Sequence, residues 1–400
     1  GPTVASASAL VSNITGPTGV KMSGPYAWVP PNYWSEDEGE HNLGGGWGFL
    51  TEGGPGAAPM TLSSLQRTLD EGDIWPIGAA WDFHCGNAQG LFGDLRFFQP
   101  ALEGRFGPSQ SASEWLAKAQ AMTYEAQRAM FEGYAANKYA KSTGLIQWMF
   151  NSAWPEMIWN LFDYYMVPGG GFFGAKKANE PLHVQFRYSD RHILVLNARY
   201  VPTESLLVFA EAVDLRANVL WQHNVTLQPL EADSAMDTNL SVPEFKEESA
   251  YFLRLRITHA NPQVTNAISW LSDNVYFLSS KPDQLDWSDS NFYRTPCSQW
   301  AHLHALTDLA PTKVNASMSG DGGRGVVSLI NHGPAIAFMV HLRLVDSDGV
   351  DMGGIVWADN FLTLWPGETL SISVEYPVTT QPILVTETWN DLVGAATPVH

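Results

Sequence analysis

The chain has 400 residues, 45% hydrophobic and 16% charged, with a formal net charge of -19. That balance supplies enough apolar surface for packed cores and excludes a disordered chain, while the acidic excess, with no clustered Lys and Arg, excludes a nucleic-acid binder. No apolar run approaches the roughly 18 residues needed to cross a bilayer, so no membrane-spanning helix is expected.

The opening Gly1-Pro2-Thr3-Val4-Ala5 reads neither as a signal peptide nor as a start, and the chain is expected to begin inside a longer polypeptide. Residues 1–181 carry 9 of the 16 Trp and alternate short apolar runs with helical patterns, as barrel βα units do. Strands are expected near Val4–Ala7, Val20–Ser23, Gly48–Glu52 and Leu145–Phe150, each running into a Gly-, Pro- or aromatic-rich loop. Four strands make the carboxy-terminal half of an eight-stranded barrel. Between Ser113 and Asn137, Trp115, Leu116, Ala119, Met122, Ala126, Ala129 and Met130 recur at three and four residues, which predicts a helix with one buried face.

After Pro181 the period changes to two, as in Leu182–Phe186 and His192–Leu196, with polar turns at short intervals. This is the pattern of β-sandwiches. The segment Trp270–Leu278 is echoed by Trp357–Leu364, with Asp-Asn pairs 86 residues apart (359 minus 273), about the length of one sandwich. Three domains are therefore expected: the half barrel over 1–181, then immunoglobulin-like sandwiches over 182–284 and 285–400, with Lys281–Thr295 as the linker.

Glu52 closes the apolar run Trp47-Gly48-Phe49-Leu50 and precedes Gly53-Gly54-Pro55-Gly56, so it is expected where a barrel strand ends and its loop begins. Inward side chains of many strands converge there, and a carboxylate so placed, with glycines allowing close approach by substrate, fits a glycosidase nucleophile. The plainer alternative is a turn or capping residue. Tyr26, Trp28, Tyr33 and Trp34 around Pro25, Pro30 and Pro31, and Trp148 and Trp154 around Phe150-Asn151-Ser152, offer faces on which sugar rings stack. Packing is the competing use of each.

Four sequons, at Asn13, Asn224, Asn239 and Asn315, mark surface loops and a secreted glycoprotein if the chain follows a secretory route. Cys85 and Cys297 are too few for a disulfide scaffold and lack zinc spacing; whether they pair is open. His302 and His304 lack the further ligands a metal needs, so no metal site is expected. His84-Cys85 is set aside as a nucleophile and base, because neighbours on a strand face opposite ways. The acidic run Glu36-Asp37-Glu38 with Glu40 reads as a solvated loop.

The run Gly144–Pro155, followed by Leu161-Phe162-Asp163-Tyr164-Tyr165, Pro168-Gly169-Gly170 and Phe173–Gln185, resembles exo-β-D-glucosaminidases of glycoside hydrolase family 2. Gly19–Tyr26, Val29-Pro30-Pro31 and Gly48–Glu52 are similar to the penultimate barrel segments of the same family, and the resemblance covers roughly residues 3 to 300. It implies a retaining hydrolase, with Glu52 matching the nucleophile, that releases D-glucosamine from the non-reducing end of chitosan oligosaccharides without a cofactor. It also implies that the acid/base lies upstream of this chain, so that a separate amino-terminal chain of the same enzyme completes the barrel. Tyr26, Thr51, Trp148 and Asn151 are the implied sugar contacts. Two rivals are carried: a β-mannosidase-type activity on the same architecture, and a non-catalytic carbohydrate-binding protein built from the sandwiches.

Overall fold

In the computed structural model, the described residues are 10–393 apart from 23, 39–42, 88, 91, 262–269 and 379–380. The strand expected over Val4–Ala7 lies outside them. The other three expected strands of the first part pair side by side and parallel, in the order β1 (Val20–Lys21), β2 (Gly48–Gly53), β3 (Ser142–Gln147). The last of these begins and ends three residues before the expected Leu145–Phe150. Its start is pinned by Ser142, whose amide and hydroxyl both donate to the end of the preceding helix, at Asn137 O and Tyr134 O. Its end is turned by Gln147, whose side-chain amide reaches back to the carbonyls of Trp148 and Trp159.

Among the described residues, four α-helices lie between β2 and β3 in the chain, one over Leu62–Thr68 followed by α1 (Ala79–His84), α2 (Leu95–Phe106) and α3 (Ala112–Ala136). The longest, α3, matches the periodicity read from sequence. Ser111 caps it by accepting from Glu114 N, and the Glu114 carboxylate returns to Gln110 N, a reciprocal arrangement that satisfies two orphan donors. Its apolar stripe is buried as expected, but the opposite face is not solvated. Lys118, Glu125, Arg128 and Glu132 are all buried too: Lys118 donates to the carbonyls of Gly107 and Pro108, Glu125 pairs with Arg105 of α2, and Arg128 and Glu132 meet Asn274 from the β-rich part of the chain. Along α3 lies α4 (Gly170–Ala178), so near that a side chain on Gly174 would put its Cβ 2.0 Å from Tyr124 O. Only glycine permits that approach.

The rest of the chain is β-rich. The strands β4 (Leu182–Phe186), β5 (His192–Asn197), β6 (Leu206–Val213), β7 (Val219–Leu227), β8 (Ser234–Ser241), β9 (Ala250–His259) and β10 (Ser272–Ser279) form two antiparallel sheets, β7-β6-β9-β10 and β8-β5-β4. Val184, Ile193, Val195, Val208, Leu253 and Leu255 meet between them, each fully buried and contributing about 1.5–3 kcal/mol relative to exposure. All five positions of β4 are buried, since α3 covers its outer face. A second pair of sheets follows: β11 (Val314–Ser319), β12 (Arg324–Asn331), β16 (Thr369–Glu375) and β14 (Val356–Trp357) in that order, and β15 (Leu362–Leu364), β13 (Ala337–Val345) and β17 (Ile383–Glu387) in the other.

Three expectations need correction. The Asp-Asn echo is not a structural repeat: Asp273-Asn274 lies inside β10, whereas Asp359-Asn360 lies in the loop between β14 and β15. The two asparagines satisfy different neighbours, Asn274 the carboxylate of Glu132 and Asn360 both backbone groups of Leu342. Lys281–Thr295 is no free linker. Asp283 pairs with Arg105, Asn32 donates to Asp283 O, and Tyr293 O accepts from the amides of both Tyr26 and Ala27, so this polar stretch clamps the first part of the chain. The sequon asparagines are exposed, yet only Asn13 sits in a turn, while Asn224, Asn239 and Asn315 lie on β7, β8 and β11, whose outer edges face water. Cys85 and Cys297 are free thiols.

Candidate active site

Leu50 of β2 is buried against Met130, Trp34 and Tyr134 on the helix side of the parallel sheet. Strict alternation would send Glu52 to the same side, into apolar packing. The pairing prevents it. Leu50 is paired with Leu145 and Gly53 with Gln147, so three steps on β2 match two on β3, a bulge that falls on Thr51 and Glu52. Bulges bend a strand and re-aim a side chain. Both Thr51 and Glu52 stay partly exposed at the strand's end.

One oxygen of Glu52, Oε1, accepts a hydrogen bond from the Tyr26 hydroxyl at 3.0 Å. The Tyr26 ring is buried and held edge-on by Trp159, Phe92 and Phe292, with Tyr293 stacked at 6.3 Å. Its backbone is fixed as well, since Trp159 Nε1 donates to Tyr26 O at 2.7 Å. Burial, with the adjoining Glu52 carboxylate, pushes the phenol well above its ordinary pKa, so Tyr26 remains a neutral donor. This arrangement fixes one carboxylate oxygen and, among the described residues, leaves the group without a cationic partner in hydrogen-bond contact.

In the Gly-rich loop after Glu52, Gly54 has a packing reason of its own. A Cβ on Gly54 would stand 1.9 Å from Trp148 O, so the glycine lets the loops after β2 and β3 lie on each other. Trp148 N donates to Gly53 O, which sets the exposed Trp148 one residue from Glu52 across the strand pair. The Trp148–Met149 peptide is cis. Thr51 spends its hydroxyl on Lys21 O at 3.4 Å, a tie between strands. Asn151 is exposed, with its amide at 3.8 Å from the Met166 sulfur, and has no hydrogen bond to the Glu52–Tyr26 pair. Glu52, Tyr26 and Trp148 are thus brought together, with Thr51 beside them and Asn151 apart.

Several members of this site were missed from sequence. Trp159 and Gln147 hold the Tyr26 and Trp148 backbones, and Tyr293 arrives from the segment taken for a linker. Asp94 lies fully buried nearby; desolvation pushes its carboxyl up to about 8, while the amides of Ala57 and Trp28 oppose the shift without closing a hydrogen bond. A lone acid in an apolar stretch, as in Gly93-Asp94-Leu95, was the available signal. Among the expected bystanders, Glu36 accepts from Asn32, Asp37-Glu38 pairs with Leu43-Gly44 in a short hairpin, and Glu40 lies outside the described residues. His84 ends helix α1 rather than sitting on a strand, and its Nδ1 meets Pro155 O. Among the described residues, no three His, Cys, Asp or Glu side chains gather in a way that could hold a metal.

A family model for the exo-β-D-glucosaminidase Ig-fold domain matches residues 292–390. The exo-β-D-glucosaminidase of Streptomyces avermitilis is 36% identical over 392 residues, which cover 94% of this chain and 42% of that protein. The one from Hypocrea jecorina is 36% identical over 93% of this chain and 43% of its own length. The crystal structure of the Amycolatopsis orientalis exo-chitosanase CsxA superposes with a TM-score of 0.86 at 33% identity, covering 96% of this chain and 46% of that one. The chain therefore spans less than half the length of the relatives it matches.

Proposed function

The chain is a relative of the exo-β-D-glucosaminidases over nearly all of its own length, and from that premise we propose that it is the carboxy-terminal part of a retaining glycoside hydrolase. In this reading residues 1–181 are half of a (β/α)8 barrel, residues 182–284 and 285–400 are immunoglobulin-like sandwiches, and the substrate is the non-reducing end of a chitosan oligosaccharide. The observation that carries it is the bulge that turns Glu52 out of the apolar side of β2 and onto the Tyr26 hydroxyl.

Glu52 is the nucleophile. With Oε1 held by Tyr26, Oε2 attacks the anomeric carbon, and a glycosyl ester forms as the leaving oxygen takes a proton. That proton comes from a second carboxyl on the amino-terminal part, about 5 to 5.5 Å away, which then activates the water that releases D-glucosamine. Tyr26 orients the carboxylate and weakens its hold on the sugar as the ester breaks. Trp148 offers its ring to the bound sugar; Thr51 and Asn151 are the weaker contacts. The exposed apolar side chains Phe49 on β2 and Ile146 on β3 support the partner chain, whose strands would cover them. Secretion, with glycans on the exposed Asn13, Asn224, Asn239 and Asn315, belongs to the same reading.

The test is nucleophile rescue in the full-length enzyme. Glu52→Ala should be inactive toward an aryl β-D-glucosaminide, and azide should restore turnover with an α-glucosaminyl azide as product. Azide without effect, or a β-configured product, refutes the role of Glu52. Faster release from β-mannosides than from a glucosamine disaccharide would move the assignment to the mannosidase reading.

A further inference from the structure

We propose that the exposed rings of Phe83 and Trp154 form a second carbohydrate-binding surface, which holds amine-bearing sugar residues of the chitosan chain beyond the unit being released. This rests on the reading of Glu52 given above. Phe83 is 60% exposed and Trp154 39%, yet neither is loose. Trp154 stacks on His84 at 4.9 Å and meets Phe83 edge-on at 5.6 Å, and its Nε1 donates to Glu156 Oε2 at 3.2 Å. The loop that carries it is fastened to the end of α1, where Met157 N donates to His84 O at 2.7 Å and the Cys85 thiol to Met157 O. A large ring fixed at the surface, its outer face unspent, is what stacking on the C–H face of a sugar requires.

Charge favours an amine-bearing occupant. The carboxylates of Asp82 and Glu156 flank this corner, both acting on the buried Cys85 thiol together with Asp94. An ammonium group meeting an indole face and a carboxylate gains from both. Position points the same way, because the loop is part of the frame around Glu52: Ala58 N donates to Met157 O, Trp159 N to Gly56 O, and Trp159 Nε1 to Tyr26 O.

The test compares full-length wild type with Trp154→Ala, Phe83→Ala and the ring-retaining Trp154→Phe. The Ala variants should lose about tenfold in kcat/KM on chitosan hexamer while turnover of an aryl β-D-glucosaminide is unchanged, and Trp154→Phe should keep most of the hexamer rate. Hexamer binding followed by calorimetry gives the same comparison without turnover. Equal losses on both substrates, as when the rest of the polypeptide covers these rings, overturn the proposal. So does unaltered hexamer binding. Wild type that binds hexamer through Trp154 but cleaves no glucosaminide would sink the role of Glu52 and leave this surface standing.

Discussion

Two glutamates, 80 residues apart (132 minus 52), show how the same side chain is used in opposite ways. At the mouth of the parallel sheet, Glu52 is partly exposed and accepts one hydrogen bond, from a neutral phenol. In the seam between α3 and the first sandwich, Glu132 is buried, and its Oε1 accepts from His183, Asn274 and Tyr276, with Arg128 beside it. Glu132 has one oxygen crowded with donors and the other, Oε2, buried without a partner, so neither can meet a substrate. Glu52 has one oxygen held and remains partly open to solvent. The contrast teaches where to look for function: at the carboxylate that the fold holds by one oxygen and leaves accessible.

That contrast breaks most visibly at Glu52. Changing it to Gln keeps the shape and the hydrogen bond to Tyr26, so the full-length enzyme should lose at least about 10⁴-fold in kcat (~5 kcal/mol) with no change in melting temperature. A matching fall in stability would put Glu52 in the same class as Glu132. The converse change, Glu132→Ala, should cost about 3–5 kcal/mol in denaturant unfolding, because buried Arg128 loses its counter-charge and His183 one of its two carboxylate partners, while kcat per folded molecule holds. Tyr26→Phe sharpens the mouth. Losing a hydrogen bond to a charged group should lower kcat about 10- to 100-fold and leave KM within a few-fold, whereas a packing role would show as lost stability.

The smallest effect is in pH. Burial works against charge on His183, yet its hydrogen bonds to Glu132 and Glu180 outweigh that and hold its pKa above the usual imidazole range. A raised folded value means the contribution is complete below about pH 6.5 and is lost as pH climbs through the folded pKa. Glu180 titrates in the other sense: against burial, His183 and Lys177 hold it down at about 2, so its share is present above about pH 4.5 and is lost as pH falls toward 2. His183→Gln should therefore lose about 1 kcal/mol near pH 5.5 relative to wild type, and the gap should narrow as pH rises past the folded pKa. A gap independent of pH would mean that His183 acts by packing alone.

What could be read from sequence follows the same divide. The limits of α3 were legible because its apolar spacing and its Ser111–Glu114 cap are local, and β4 and β5 because alternation is local. The position of Glu52 at a strand end was legible for that reason too. Its direction was not, since a bulge exists only in the pairing of β2 with β3, whose residues are more than 90 positions apart in sequence (145 minus 50 is 95). Arg128 and Glu132 look like a solvated helix face until Asn274 and His183 arrive from distant strands, as do Lys118 and Glu125 until the carbonyls of Gly107 and Pro108 and the Arg105 guanidinium meet them. Tyr293 and Trp159 escaped notice because they act through a carbonyl and an indole N–H on the Tyr26 backbone, contacts with no spacing to announce them.

The most direct measurement is covalent trapping. Full-length enzyme treated with a 5-fluoro glucosaminyl fluoride, which slows breakdown of a glycosyl ester more than its formation, can be digested and its labelled peptide sequenced by mass spectrometry. The account predicts one sugar per active site, on the side chain of Glu52. A label on any other residue, or inactivation with no covalent adduct, would contradict it.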